Sequence, residues 1–436
     1  MVGAAGVGDP YFPELGGGGY DVQRYEIDLE WLPDGGRIEA TTTLHLVPSV
    51  PLDAFHLDLV GLDVEAVTVD GEPAAVSHEG RELVVDPRPV LPAGDRVAVA
   101  VTYAGIPQPV ALGSEVFGAG WLVDGRDAYV VSEPAGAASW FPANDHPTDK
   151  ATFRIEVTVP PDLQAVANGV RVSERTEVDG RRTAVFEVRD PMATYLASVV
   201  VGDLVVEERR APNGLALRDA YPRRLAEQAR RDLAVAGDVV VAFERWFGPF
   251  PFEVYGHVVV DEVLGYALEN QTLSLFGADL VTGDGQHETV VAHELAHQWF
   301  GNAVSPSTWR DIWLNEGFAT YAEWIWEQER GGRPVVDSAR AVHAGADLGV
   351  PPGDPGTSEL FQPTVYRRGA LAVHALSVAM GDDAFRVLLR EWPARFGGAD
   401  ASTADLLALA EELSGRDLDA VVQDWVYGVD LPPFPG

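Results

Sequence analysis

His293-Glu294-Leu295-Ala296-His297-Gln298-Trp299-Phe300-Gly301 is the stretch on which the reading of this chain turns. Residues four apart share one face of a helix, so the imidazoles of His293 and His297 can bind one metal ion. Glu294, between them, can reach a water at that metal. Eighteen residues separate His297 from Glu316, which lies in Trp313-Leu-Asn-Glu-Gly-Phe-Ala319. A catalytic zinc takes three protein ligands and keeps one position open, and two histidines with a glutamate form such a set. A second helix carrying Glu316 would supply the third ligand. Glu323, seven residues on, falls on the same face as Glu316 and is a candidate partner for a ligand histidine.

Outward from this point the chain changes character. Residues 287–300, 316–329, 368–380, 383–396 and 403–413 read as helices, with Gly301 and Gly381 where helix C-caps would fall. Residues 222–247 also have helical spacing, and residues 250–261 read as a strand. The first half alternates instead. Tyr25, Ile27, Leu29 and Trp31 interleave with Glu26, Asp28 and Glu30, the period of a half-buried strand. Residues 38–46, 97–103, 153–159, 184–188 and 195–201 repeat the pattern, and Asp70-Gly71 is a turn signal. This predicts an antiparallel β sandwich or saddle over residues 1–205 and a mainly helical second domain over residues 206–436. Gly16 to Gly19 precede a strand rather than a helix and read as a flexible entry loop, not a phosphate loop.

Composition narrows the function. The chain has 436 residues and no cysteine, which excludes disulfides, thiolate ligands and cysteine nucleophiles. Net charge is −36, a field that repels phosphate backbones, so nucleic acid is not an expected partner. Lys150 is the only lysine. No run of eighteen apolar residues is present, so no membrane partner is expected. No signal peptide is read at residues 1–10. The expected compartment is the cytoplasm, or the exterior if the chain is a mature form.

The motifs together resemble the gluzincin zinc aminopeptidases, which include the alanyl and leucyl aminopeptidases and leukotriene-A hydrolase. Ala267-Leu268-Glu269-Asn270 is similar to the family's exopeptidase motif Gly-Ala-Met-Glu-Asn, with Tyr266 in place of the glycine and Leu268 in place of the methionine. Phe141-Pro-Ala-Asn-Asp-His-Pro147 and Lys150-Ala-Thr-Phe153 resemble its N-terminal-domain signature, with His146 where many members have glutamate. Tyr366-Arg-Arg-Gly369 resembles the segment of the catalytic tyrosine, with Arg368 in place of lysine.

The resemblance implies a β saddle followed by a thermolysin-like catalytic domain. It implies one zinc ion held by His293, His297 and Glu316, with Glu294 as general base and Tyr366 stabilising the oxyanion. Glu269 would bind the substrate ammonium, and Glu133, in Ser132-Glu133-Pro134-Ala135, matches a second such position. Tyr266, Ala267 and Leu268, with Asn270, would border the pocket for the N-terminal side chain. The expected function is removal of the N-terminal residue from peptides with a free N-terminus, by a monomer. The alternatives are an endopeptidase or epoxide hydrolase on the same zinc site, or a weakly active peptide-binding relative. Most members carry a further helical C-terminal domain, for which this sequence leaves no room. A more open cleft, tolerant of longer peptides, is the expected consequence. His45, His56, His78, His257, His343 and His374 have no partner motif and read as surface or satisfied core histidines. Asn270-Gln271-Thr272 is formally a glycosylation sequon and is discounted inside the exopeptidase motif.

Overall fold

A computed structural model describes residues 1–110, 119–345 and 348–435. The chain forms two compact units: Met1–Glu207 with Arg218–Ala226 and Glu253–Asp279, and Glu208–Leu217 with Glu227–Phe252 and Leu280–Gly436.

The first unit is built on an eight-stranded sheet. Strand Tyr20–Leu32 buries Tyr25, Ile27, Leu29 and Trp31, the residues its alternation singles out. It pairs antiparallel with Arg37–Pro48, which pairs with Val97–Gly105 and then Asp63–Val69. Asp70 and Gly71, at φ of 50° and 83°, close the next turn in the left-handed geometry that an Asp-Gly signal predicts. On its other edge Tyr20–Leu32 pairs with Lys150–Val159, and this pair is parallel. The sheet is therefore mixed rather than antiparallel throughout. More than a hundred residues connect those two strands, ample for the crossover a parallel pair needs. Residues 195–201 are only partly extended: Thr194–Leu196 is a 3₁₀ turn and the strand is Val199–Gly202.

Gly16 to Gly19 are not a loose loop. The Gly16 N–H donates to Asp58 Oδ2 at 3.0 Å and the Gly17 N–H to Asn144 Oδ1 at 2.6 Å. A Cβ at Gly17 would lie 2.6 Å from the His56 carbonyl oxygen, so these glycines serve close packing. Asp58 itself is buried. Burial first, and the neighbouring Asp145 carboxylate second, push its pKa to about 8, against the pull of Arg81. An acid raised in the folded state binds its proton more tightly there than in the unfolded chain. Stability is therefore expected to fall as pH rises from about 4 to about 8, by up to about 1.4 kcal/mol per pH unit for one proton. Thermal unfolding across that range checks this, and Asp58→Asn should flatten the slope.

The expected boundary at residues 205/206 differs from the observed division. Strands Ala216–Pro222, His257–Val259 and Ser274–Phe276 lie in one sheet with Ala267–Leu268. Ala220, Val258 and Leu275 of these strands, with the flanking Val260 and Leu273, bury against Tyr129, Val131, Val166, Val200 and Leu204 of the first unit. Apolar burial, not chain order, assigns residues 218–226 and 253–279 to that unit. The expected strand over residues 250–261 is interrupted at Gly256, where a Cβ would stand 1.7 Å from the Arg218 carbonyl oxygen.

The helices are α1 (Ala226–Asp232), α2 (Ala236–Phe247), α3 (Glu288–Ala296), α4 (Trp313–Glu329), α5 (Val335–Gly345), α6 (Pro363–Met380), α7 (Asp382–Phe396), α8 (Thr403–Ser414) and α9 (Asp419–Val422). α9 continues into a π-helical turn, Gln423–Tyr427. Gly381 caps α6 as expected, at φ 85°. Gly301 does not cap α3, which ends at Ala296 with His297 as its cap. The chain tightens there through three-residue bonds, Gln298 N–H to Leu295 O and Trp299 N–H to Ala296 O. Trp299 packs among Phe243, Phe247 and Phe250, and its Nε1–H donates to Pro249 O.

Candidate active site

Within the second unit, α3 presents His293, Glu294 and His297, and α4 presents Glu316 and Glu323. Asp232 accepts the backbone N–H groups of Thr282, Gly283 and Gly285 and so anchors the chain just before α3. α4 and α6 cross at a contact between two glycines. A Cβ added to Gly317 would lie 2.8 to 3.1 Å from three backbone atoms of Gly369. This crossing sets Glu316, beside Gly317, against the first turns of α6, where Tyr366 lies.

His293, His297 and Glu316 are buried, and one ligand atom from each lies within 4.8 Å of the other two. Glu316 Oε2 is 3.2 Å from His293 Nε2 and 3.4 Å from His297 Nε2. Zinc bonds of about 2.0–2.1 Å in tetrahedral geometry place neighbouring donor atoms about 3.3 Å apart, so the set fits this ion. The outer nitrogens are engaged elsewhere. His293 Nδ1 donates to Glu323 Oε1 at 2.8 Å, and His297 Nδ1 donates to the Phe300 carbonyl at 3.1 Å. With Nδ1 carrying the hydrogen, each Nε2 offers its lone pair inward. Glu323 is thus hydrogen-bonded to His293, a contact that its position on the helix face allows. The Phe300 carbonyl was not legible, because it depends on the tightened turn after α3.

The carboxylates around the set favour positive charge there, a proton on His293 Nε2 or, in its place, a metal ion. Burial alone would lower the pKa of His293. Hydrogen bonds donated to Glu316 and Glu323, with the charges of Glu323 and Glu294, outweigh it and carry the value well up. Burial would raise Glu316, yet His297 and His293 hold it down at about 2. The carboxylate is therefore ionised and ready to ligate. The Tyr366 ring stacks on the His293 ring, with centroids 5.8 Å apart and planes 25° apart. Glu323→Ala should weaken zinc binding about 10- to 100-fold, read as zinc retained in competition with a chelator.

The first unit holds the other predicted residues. Glu133 and Glu269 are buried and have carboxylate oxygens within 4.8 Å of each other. The segment after Glu269 is tied down at two points. Asn168 Nδ2 donates to Gln271 O at 2.7 Å, and the Gly169 N–H donates to Thr272 Oγ1 at 2.7 Å. Thr272 is held at φ 67°, rare for a β-branched residue. Asn168 and Gly169 had no sequence signal beyond an Asn-Gly pair. Leu268 packs against the apolar cluster of this unit, and Tyr266 is half-buried on the loop before it. Asn270 is buried, in keeping with the discounted sequon.

Two more expectations are settled here. His146 is buried, with Nε2 3.2 Å from Asp9 Oδ2 and Nδ1 bonded to Thr148, so it supports structure in the first unit. His374 is not a satisfied core histidine. Among the described residues neither ring nitrogen has a hydrogen-bond partner, and burial lowers its pKa to about 4, so it packs as a neutral ring.

Residues 22–196 match the Peptidase M1 N-terminal domain, and residues 232–425 match the Peptidase family M1 domain. A mutant of the M1 zinc metallopeptidase from Deinococcus radiodurans, bound to a Tyr-Ser-Ala substrate, is 33% identical with a TM-score of 0.91, covering 99% of both chains. The chain belongs to the M1 peptidase family. A mutant two-domain M1 zinc metallopeptidase bound to L-arginine is also similar, at 33% identity and a TM-score of 0.92 over 99% of each chain. Among curated M1 relatives, Aminopeptidase M1-A of Oryza sativa subsp. japonica is 31% identical over 328 residues, 69% of this chain and 37% of that protein. Aminopeptidase M1 of Arabidopsis thaliana is 32% identical over 332 residues, 69% of this chain and 36% of that protein. The chain spans little more than a third of the length of these two relatives. The expected fold class, a β-rich N-terminal domain followed by a helical peptidase domain, is the fold of this M1 chain.

Proposed function

We propose that this M1 peptidase is a zinc-dependent aminopeptidase that removes the N-terminal residue of peptides. The pair Glu133 and Glu269 carries the choice of an N-terminus. Two buried carboxylates within 4.8 Å of each other favour a substrate ammonium over a neutral amide. His293, His297 and Glu316 would hold the zinc, and Glu323 and the Phe300 carbonyl would keep the two imidazoles oriented. A bound zinc ion supplies Lewis acidity, which polarises the scissile carbonyl and makes a water nucleophilic near neutral pH. Glu294 takes the proton of the attacking water and passes it to the leaving amine. The Tyr366 hydroxyl donates to the developing oxyanion. The aminopeptidases among its curated relatives, and the Tyr-Ser-Ala bound to a solved relative, support this reading.

Release of p-nitroaniline from alanyl, leucyl and arginyl anilides tests it. Activity should vanish with a chelator, return with zinc, and be absent on the N-acetylated anilide. Equal cleavage of the acetylated compound would refute the ammonium site. A zinc-loaded chain inert on every anilide and short peptide would refute the aminopeptidase reading itself.

A further inference from the structure

Arg368 lies two residues after Tyr366 on α6 and is fully buried. Its guanidinium points into a shell of backbone carbonyls. Nε donates to Trp425 O at 3.1 Å. Nη1 donates to Leu348 O at 2.9 Å and Val429 O at 3.3 Å. Nη2 donates to Asp424 O and Asp430 O, each at 3.2 Å, and to Gly428 O. Several of these carbonyls end the π-helical turn, where a helix leaves its last C=O groups without partners. One planar cation therefore ties the start of α6 to the loop before it and to residues 424–430. Thr364 Oγ1 adds a bond to Val350 O at 2.8 Å on the same turn.

We infer that Arg368 is a positioning residue for Tyr366, fixing the rotation of α6 about its own axis. The inference rests on the assignment of Tyr366 in the proposed reaction. The argument is geometric. Side chains two apart on a helix project about 200° from each other, so the anchor and the tyrosine lie on nearly opposite faces. α6 is held against α4 at Gly369 and Gly317, backbone on backbone. Buried side chains along α6 hold it against its neighbours, but apolar packing carries little directional preference. The multiple directional bonds from Arg368 fix the rotation of its first turns. A turn of about 10° would carry a phenol oxygen, about 8 Å from the axis, through about 1.4 Å. Displacements of that size cost about 100-fold in rate. Lysine, which the family more usually has at this position, brings three donors from one point and no planar fork, so in this chain it would leave several of these carbonyls unmet.

A double-mutant cycle on zinc-loaded protein tests this, with an alanyl anilide as substrate. Arg368→Lys keeps the charge and should lower kcat about 10- to 100-fold, with KM within about twofold and one zinc per chain retained. Tyr366→Phe should lower kcat about 100-fold or more. In the Tyr366→Phe background, Arg368→Lys should cost little further, because the group it positions is gone. An equal fall in both backgrounds, or no fall in either, would overturn the inference. If Tyr366→Phe leaves kcat unchanged, the role of the tyrosine fails instead. A readout independent of turnover decides the matter in that case too: with 3-fluorotyrosine at position 366, Arg368→Lys should shift the fluorine resonance now set by the stacked His293 ring. An unmoved resonance would refute the positioning role whatever the activity.

Discussion

Glu294→Gln is expected to lower kcat on an alanyl anilide by about 1,000-fold while the protein still binds one zinc per chain. Glutamine has the shape of glutamate but cannot accept the proton of an attacking water at neutral pH. Glu294 is buried on α3 beside His293, yet it is not one of the three donors that converge at zinc spacing. Metal content should therefore survive the substitution, and KM should move only a few-fold. Zinc analysis and kinetics on the same sample give the answer. Loss of the zinc would mean that Glu294 holds the metal site together. Retention of most of the activity would remove it as the base and leave the proposed mechanism without a proton acceptor.

The second large effect is expected away from any catalytic group. Gly317→Ala should destabilise the protein by about 1–2 kcal/mol and lower kcat about 10- to 100-fold. Alanine is ordinarily the better helix former by up to about 1 kcal/mol, so propensity alone predicts the opposite sign. Packing decides here. The new methyl would meet Gly369 C, Cα and O at 2.8, 3.0 and 3.1 Å, and backbone cannot rotate out of the way as a side chain can. α4 and α6 must part, which moves Glu316 away from the histidines of α3 and separates Tyr366 from His293. Gly345→Ala is the matched control. It lies at the end of α5 with nothing among the described residues within 4 Å of the added carbon, and should be neutral or slightly stabilising. Thermal unfolding and kcat measured on both variants separate the two cases. A Gly317→Ala protein as stable and active as the parent would show that the crossing relaxes without cost.

The grouping of His293, Glu294 and His297 on α3, and of Glu316 and Glu323 on α4, was legible because these relations are local. Spacings of four along α3 and of seven along α4 place side chains on one helix face, and helix geometry does not depend on the rest of the fold. The β pattern was legible for the same reason, since alternation with period two reports which face of a strand is buried. What escaped the sequence was set by contacts between distant segments. The parallel pairing of Tyr20–Leu32 with Lys150–Val159 leaves no mark on either strand. The packing of Gly16 and Gly17 against His56 and Asn144 looked like flexibility, because glycine serves both purposes. Gly301 looked like a helix cap because the tightened turn that ends α3 early has no signal of its own. His374 looked like an ordinary core histidine, and only its surroundings show that neither nitrogen has a partner among the described residues.

By itself, then, the sequence determined the chemistry that can be offered: two imidazoles and a carboxylate for a metal, a glutamate beside them, and a tyrosine further along. These follow from residue type and helical period. Only the tertiary structure decided that the offer is made at zinc spacing. The approach of α6 to α4 through Gly317 and Gly369, the carbonyl shell around Arg368, and the convergence of Glu133 with Glu269 are all many residues apart in the chain. Their energies are packing and desolvation terms, which arise only when remote segments exclude water from one another, and no local pattern encodes which segments those will be.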